Sequence, residues 1–154
     1  MAEQTEARVL EQLLERISGA LELDARVVVT TEADGELEGV LHGEDLGLFI
    51  GRHGQTIDAV QHLSQRAMAT LAGEPRRVTV DAEGYRARRQ EVLGREAGEA
   101  ADEAVRSGRP VALAAMTANE RRLVHELLRE RGGVETHSEG DEPGRHLVIS
   151  PASS

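Results

Sequence analysis

Cysteine is absent, so neither a disulfide nor a thiolate metal site can form. Tryptophan is absent too, and Phe49 and Tyr85 are the only aromatic residues. The core must therefore be built from Leu, Val, Ile and Ala. Base stacking on aromatic platforms, the usual device of sheet-type RNA binders and OB folds, is largely closed to this chain. Lysine is missing altogether: all 18 basic residues are arginine. Arginine suits two-pronged phosphate contacts, although a compositional bias of the coding genome would produce the same count. No apolar run approaches the length of a membrane span. Met1 to Glu15 alternates charged and apolar residues without the uninterrupted apolar segment of a signal peptide. The expected location is the cytoplasm, with no membrane insertion.

What is present fits one ordinary domain or two small ones: 154 residues, 39% hydrophobic and 30% charged. A net charge of -10 excludes a general electrostatic attraction to nucleic acid. The acidity is uneven, however. Up to Asp45 there are twelve Asp and Glu against three Arg, and from Leu46 onward sixteen against fifteen. Any affinity for a polyanion must come from a local patch and be modest and salt-sensitive.

Periodicity predicts a helix over Thr5 to Ile17, with Val9, Leu10, Leu13, Leu14 and Ile17 on one face. Arg26 to Thr31 and Glu36 to Leu41 read as two strands joined at Ala33-Asp34-Gly35, a β-hairpin. Glu44 to Ile50 reads as a short helix and Thr56 to Leu71 as a longer one, with Ile57, Val60, Leu63, Ala67 and Leu71 inward. Arg77 to Asp81 is a further strand.

Between the two helices lies Gly51-Arg52-His53-Gly54. Glycines let the backbone turn sharply and approach a ligand closely, and the helix that follows offers free amides and a positive dipole end to an anion. Arg52 adds a permanent cationic fork, and His53 a charge set by its surroundings. The bare four-residue pattern is more often a tight corner between helices. Its place in the order helix, strand, strand, helix, turn, helix, strand is more specific, because that order resembles a type II KH domain. In such domains the turn clamps the sugar-phosphate backbone of about four unpaired nucleotides beside an apolar groove. The resemblance implies backbone contacts at Gly51, Arg52, His53 and Gly54, with Ile50 and Ile57 near the groove wall. Many members have two permanently basic residues between the glycines. With His53 in the second place, binding would strengthen as pH falls.

Glu83 to Ser107 is a polar helical stretch. It opens with Tyr85, Arg86, Arg88 and Arg89; the arginine cluster could form a nucleic-acid face, but the interspersed Glu91, Glu96 and Glu99 favour a solvated surface, and Gly94 and Gly98 count against an unbroken helix. Pro110 to Leu113 is a short strand candidate, and Thr117 with Glu120 forms a capping-box signal. The helix that follows puts Arg121 and His125 on one face and Leu123, Val124, Leu127 and Leu128 inward. Strands are predicted at Val134 to Ser138 and His146 to Ser150. Asn119 to His125, Val134 to Gly140 and Pro143 to Ile149 together resemble the R-three-H domain, named for an Arg and a His separated by three residues and associated with single-stranded nucleic acid. The resemblance implies that Arg121 contacts a phosphate and His125 hydrogen-bonds or stacks. Arg145 would be a second cation, with Glu120, Glu126, Glu139, Asp141 and Glu142 opposing them.

The whole is expected to be an α+β chain, and the two resemblances imply a KH domain over 1–82, a connecting helix over 83–109 and an R-three-H domain over 110–154. This order resembles the architecture of the bacterial Jag family, also called KhpB or EloR (SpoIIIJ-associated protein). The resemblance implies a non-enzymatic binder of single-stranded RNA, with single-stranded DNA a further candidate. It also implies a chaperone or post-transcriptional regulator linked to cell elongation and division, with a smaller KH-domain protein as partner. Many members carry a further N-terminal domain and linker, for which no room is expected before Glu11. The competing reading is a protein-interaction module with little RNA affinity, in which the KH fold serves as a dimerization surface and the acidic N-terminal helix or hairpin recruits a basic partner. The histidines His42, His53, His62, His125, His137 and His146 lack the close pairing of metal sites, and no nucleophile-base or P-loop motif occurs, so no metal, cofactor or catalytic residue is expected.

Overall fold

Leu10 and Leu14, one helical turn apart, are wholly buried in the computed structural model, which describes residues 1–153. They seat α1 (Ala2–Ala20) against a three-stranded sheet. The expected hairpin forms. β1 (Arg26–Thr31) pairs antiparallel with β2 (Leu37–His42), Val28 opposite Val40, and the Asp34 carboxylate accepts from the Glu36 amide at 3.1 Å inside the turn.

A parallel neighbour cannot be reached through a hairpin; the chain must cross over the sheet. The crossover consists of α2 (Gly47–Ile50), a single 3-10 turn at Arg52–Gly54, and α3 (Gln55–Ala72). It delivers β3 (Val78–Ala82) parallel to β2, with Leu37 opposite Val78 and Gly39 opposite Val80. The glycine turn thus sits inside the crossover, where two helices meet. Leu37, Leu41, Val78 and Val80 from the strands share a core with Leu10, Leu14, Phe49, Ile57 and Met68.

The inward face of α3 differs from the expected one. Ile57 and Val60 are buried, but the stripe continues through Ser64 and Met68, leaving Leu63 52% and Leu71 48% exposed. Ser64 can occupy a core position because its hydroxyl donates to the Val60 carbonyl at 2.8 Å, so no donor is stranded.

The chain divides between Arg86 and Ala87 into two units, each with its own core. α4 (Tyr85–Ser107) runs unbroken through Gly94 and Gly98. Expected as a connector, it also supplies Leu93, Ala97, Ala100, Ala101 and Ala104 to the second core, against Met116, Val124, Leu128, Leu147 and Ile149. After β4 (Val111–Ala112), Thr117 caps α5 (Ala118–Arg131) with the full capping box: Thr117 Oγ1 accepts from the Glu120 amide at 3.3 Å, and Glu120 Oε2 from the Thr117 amide at 3.0 Å. Val124 and Leu128 turn inward, while Leu127, expected beside them, is exposed. β5 (Val134–Glu139) and β6 (His146–Pro151) complete an antiparallel sheet with β6 central, Thr136 and Val111 both facing Ile149.

Candidate nucleic-acid interface

Phe49, wholly buried, anchors α2, and the backbone leaves it through Gly51 at φ 74° and ψ 177°, a region open in practice to glycine alone. A Cβ on Gly51 would overlap Thr56 Oγ1 and lie 2.8 Å from the Thr56 amide nitrogen, in the first turn of α3. Gly54 is left-handed, at φ 76° and ψ 15°, and a Cβ there would lie 2.9 Å from the Tyr85 hydroxyl and 3.0 Å from the ring edge. Each glycine is required for a different reason: the first by the tightness of the helix junction, the second by the phenol that packs against it. His53 between them is also left-handed, at φ 54° and ψ 25°, a conformation that costs an ordinary residue roughly 1 kcal/mol or more. Arg52 is exposed and His53 half-buried.

No side chain caps α3 among the described residues; the 3-10 turn caps it with backbone instead, the Arg52 carbonyl accepting from the Gln55 amide and the Gly51 carbonyl from the Gly54 amide at 3.3 Å, while the positive end of the helix dipole still faces the turn. An acid does sit in that first turn, Asp58, but Arg86 Nη1 donates to it at 2.9 Å. The same guanidinium donates to Gln61 at 3.0 Å and to the Val80 carbonyl at 2.8 Å. Arg86 therefore neutralises the one carboxylate at the start of α3 and ties α3 to β3, instead of belonging to a solvated face. Arg89, from the same cluster, donates to Glu120 at 2.7 Å. Ile50 is half-buried against the core, whereas Ile57, expected at a groove wall, is wholly buried in it. Tyr85 was not among the expected contacts; its one sequence signal was being half of the chain's aromatic content.

In the second unit, Arg121 and His125 line one open depression of about 340 Å³, with Ala118, Arg122, Thr136, His137, Ser138 and Leu147. They are held differently. Arg121 is only 8% exposed; it donates from Nη1 to the Met116 carbonyl at 2.7 Å and from Nη2 to Glu142 at 2.6 Å. Glu142, expected to oppose the patch, neutralises it at closest range. His125 is exposed, its Nδ1 paired with Thr136 Oγ1. Arg145 does not line the depression: its Nη1 donates to the Gly140 carbonyl at 2.7 Å, bracing its own loop. A second depression, of about 360 Å³, continues past His125 and Thr136 to Arg129, Val134 and Glu135.

The family profile for the KH domain of KhpA and KhpB matches residues 7–82, and that for the R-three-H domain matches residues 91–151. The chain belongs to the KhpB family, a KH domain followed by an R-three-H domain. It is similar to the RNA-binding protein KhpB of Clostridium symbiosum, 36% identical over 141 residues that cover 92% of this chain and 62% of that protein. The RNA-binding protein KhpB of Bacillus subtilis (strain 168) is 34% identical over 143 residues, covering 92% and 66%. That of Lactiplantibacillus plantarum is 39% identical over 104 residues, covering 68% and 32%. The chain thus spans somewhat under two thirds of the length of the first two relatives.

Proposed function

We propose that the chain binds single-stranded RNA, and that the Gly51–Gly54 turn receives the sugar-phosphate backbone while the Arg121/His125 face of the second unit provides a further contact. The observation that carries this reading is the turn itself. Gly51, half-exposed, and Gly54, buried against Tyr85, both take positive φ and turn the chain into the N-terminus of an 18-residue helix, with Arg52 exposed beside it and the acid of its first turn already paired. The names of the relatives, RNA-binding proteins, support it. A role in RNA chaperoning or post-transcriptional regulation, without catalysis, belongs to the same proposal through the family. So do a link to cell elongation, a smaller KH-domain partner and a cytoplasmic location.

Fluorescence polarization with short single-stranded RNAs tests it. Arg52→Gln removes one phosphate contact without touching the core and is expected to weaken binding roughly 5-fold at 0.1 M salt, from the release of about 0.7 counterions. Gly54→Asp should weaken it further, and circular dichroism must accompany that variant because its new side chain meets Tyr85. Undiminished affinity in Arg52→Gln and a still-folded Gly54→Asp would remove the turn from the interface. Absence of RNA binding by the unaltered chain, with capture of a basic protein instead, would favour the interaction-module reading.

A further inference from the structure

The expected division of labour on α5 assigns phosphate contact to Arg121. The structure argues against that assignment on three counts. Arg121 shares its helical phase with Val124 and Leu128, both buried, so its side chain points inward. Its guanidinium spans from the Met116 carbonyl to Glu142, joining the loop before α5 to the loop before β6. Releasing it would leave the carbonyl of the buried Met116 without this donor and draw the guanidinium out of its buried seat, a cost that an incoming phosphate would have to offset, whereas the exposed Glu142 would return to water.

The neighbouring residues are arranged differently. Arg122, His125 and Arg129 recur at three- and four-residue spacing and are all exposed. Among the described residues neither Arg122 nor Arg129 takes a hydrogen-bond or ion-pair partner. Arg122 lines the first depression and Arg129 the second, and the two depressions share His125 and Thr136. They therefore form one open groove along α5 and β5, with the paired His125 and Thr136 at its waist. The facing edge of β5 contributes the hydroxyls of Thr136 and Ser138; the acid that lines the groove is Glu135, at the Arg129 end. Seven residues at 1.5 Å per residue separate the two arginines by about 10.5 Å along the helix, a distance that roughly two or three nucleotide steps cover.

We propose that Arg122 and Arg129 are the phosphate-gripping cations of the second unit, on either side of His125, and that Arg121 is a positioning residue that holds the floor of the groove. This rests on the RNA-binding reading and specifies where in the second unit the strand runs.

The experiment measures RNA affinity of the full chain by polarization across a series of salt concentrations. For a single strand, each lost phosphate contact lowers the slope of log affinity against log salt by about 0.7. Arg122→Gln with Arg129→Gln should lower the slope by about 1.4 and the affinity roughly 25-fold at 0.1 M salt, with an unchanged melting temperature. Arg121→Gln should lower the melting temperature of the second unit and leave the salt slope of the folded protein near that of the unaltered chain. If the Arg122/Arg129 variant keeps the original slope while the unaltered chain binds, the proposal is overturned and the RNA-binding reading stands. A folded Arg121→Gln that loses a full contact's worth of slope also overturns it. Polyglutamate displacing RNA from the unaltered chain but not from the double variant would mean the groove takes acidic peptide instead. Absence of RNA binding by the unaltered chain overturns both readings.

Discussion

Replacing Gly51 by alanine adds one methyl group at the point where the chain has least room for it. Two costs follow from the geometry. An alanine at φ 74° and ψ 177° carries backbone strain of about 1–3 kcal/mol. The Cβ would also overlap Thr56 Oγ1 and lie 2.7 Å from Thr56 Cβ and 2.8 Å from the Thr56 amide nitrogen. A rotamer change at Thr56 relieves only the first of these, so the first turn of α3 must shift, an overpacking cost of about 1–3 kcal/mol. The sum, about 2–6 kcal/mol, compares with a total stability of roughly 4–13 kcal/mol for a unit of this size. Gly73→Ala is the internal control. Gly73 has nearly the same φ, 75°, at the end of α3, but nothing lies within 4 Å of an added Cβ. It should cost only the left-handed penalty of about 1–2 kcal/mol. Urea denaturation followed through the resolved amide signals of β1 and β2 measures the first unit alone. With a slope of about 2 kcal/mol per molar, Gly51→Ala should lower the midpoint by about 1–3 M and Gly73→Ala by about 0.5–1 M. Coincident curves for the two variants would falsify the claim that crowding at Thr56, and not the sign of φ, makes Gly51 obligatory.

Gly98 lies mid-helix in α4 with ordinary backbone angles and open space around its Cα, so Gly98→Ala should stabilise the second unit by about 1 kcal/mol, read as a melting temperature several degrees higher. Arg86→Met removes three donations, to Asp58, Gln61 and the Val80 carbonyl, and should destabilise the first unit by about 2–3 kcal/mol. A double-mutant cycle with Asp58→Asn should return a coupling of about 1 kcal/mol, and zero coupling would mean the ion pair is incidental.

The strands, the hairpin, the α5 capping box and the order of elements were legible because each is written in local chemistry: β-branched runs, an Asp-Gly turn, a Thr three residues before a Glu. The faces of the helices were less legible. On α3, counting large apolar residues favoured Leu63 and Leu71, whereas the fold buries Ser64 and Met68. A serine that bonds back to its own helix is small and satisfied enough for a core, which a hydrophobicity count cannot register. On α4 the inward positions are mostly alanines, whose weak apolar signal is easily read as a polar connector. On α5 the signal was present: Arg121, Val124 and Leu128 share a helical phase, yet the charge of Arg121 led to its being assigned outward. The solvated-face reading failed at Arg86 and Arg89 for the same reason, since their partners Asp58 and Glu120 are distant in sequence, while Arg88 is exposed as expected. Where an arginine goes depends on which carboxylate the fold brings near, and that information is non-local.

Tyr85 is the chain's one tyrosine, there is no tryptophan, and its ring edge and hydroxyl lie against Gly54. Excited at the red edge of tyrosine absorption, where Phe49 no longer absorbs, the unlabelled protein therefore emits from a single fluorophore beside a single turn. Quenching, lifetime and anisotropy measured on the native chain report on the environment of that glycine alone, with no background from the second unit and no dye to attach.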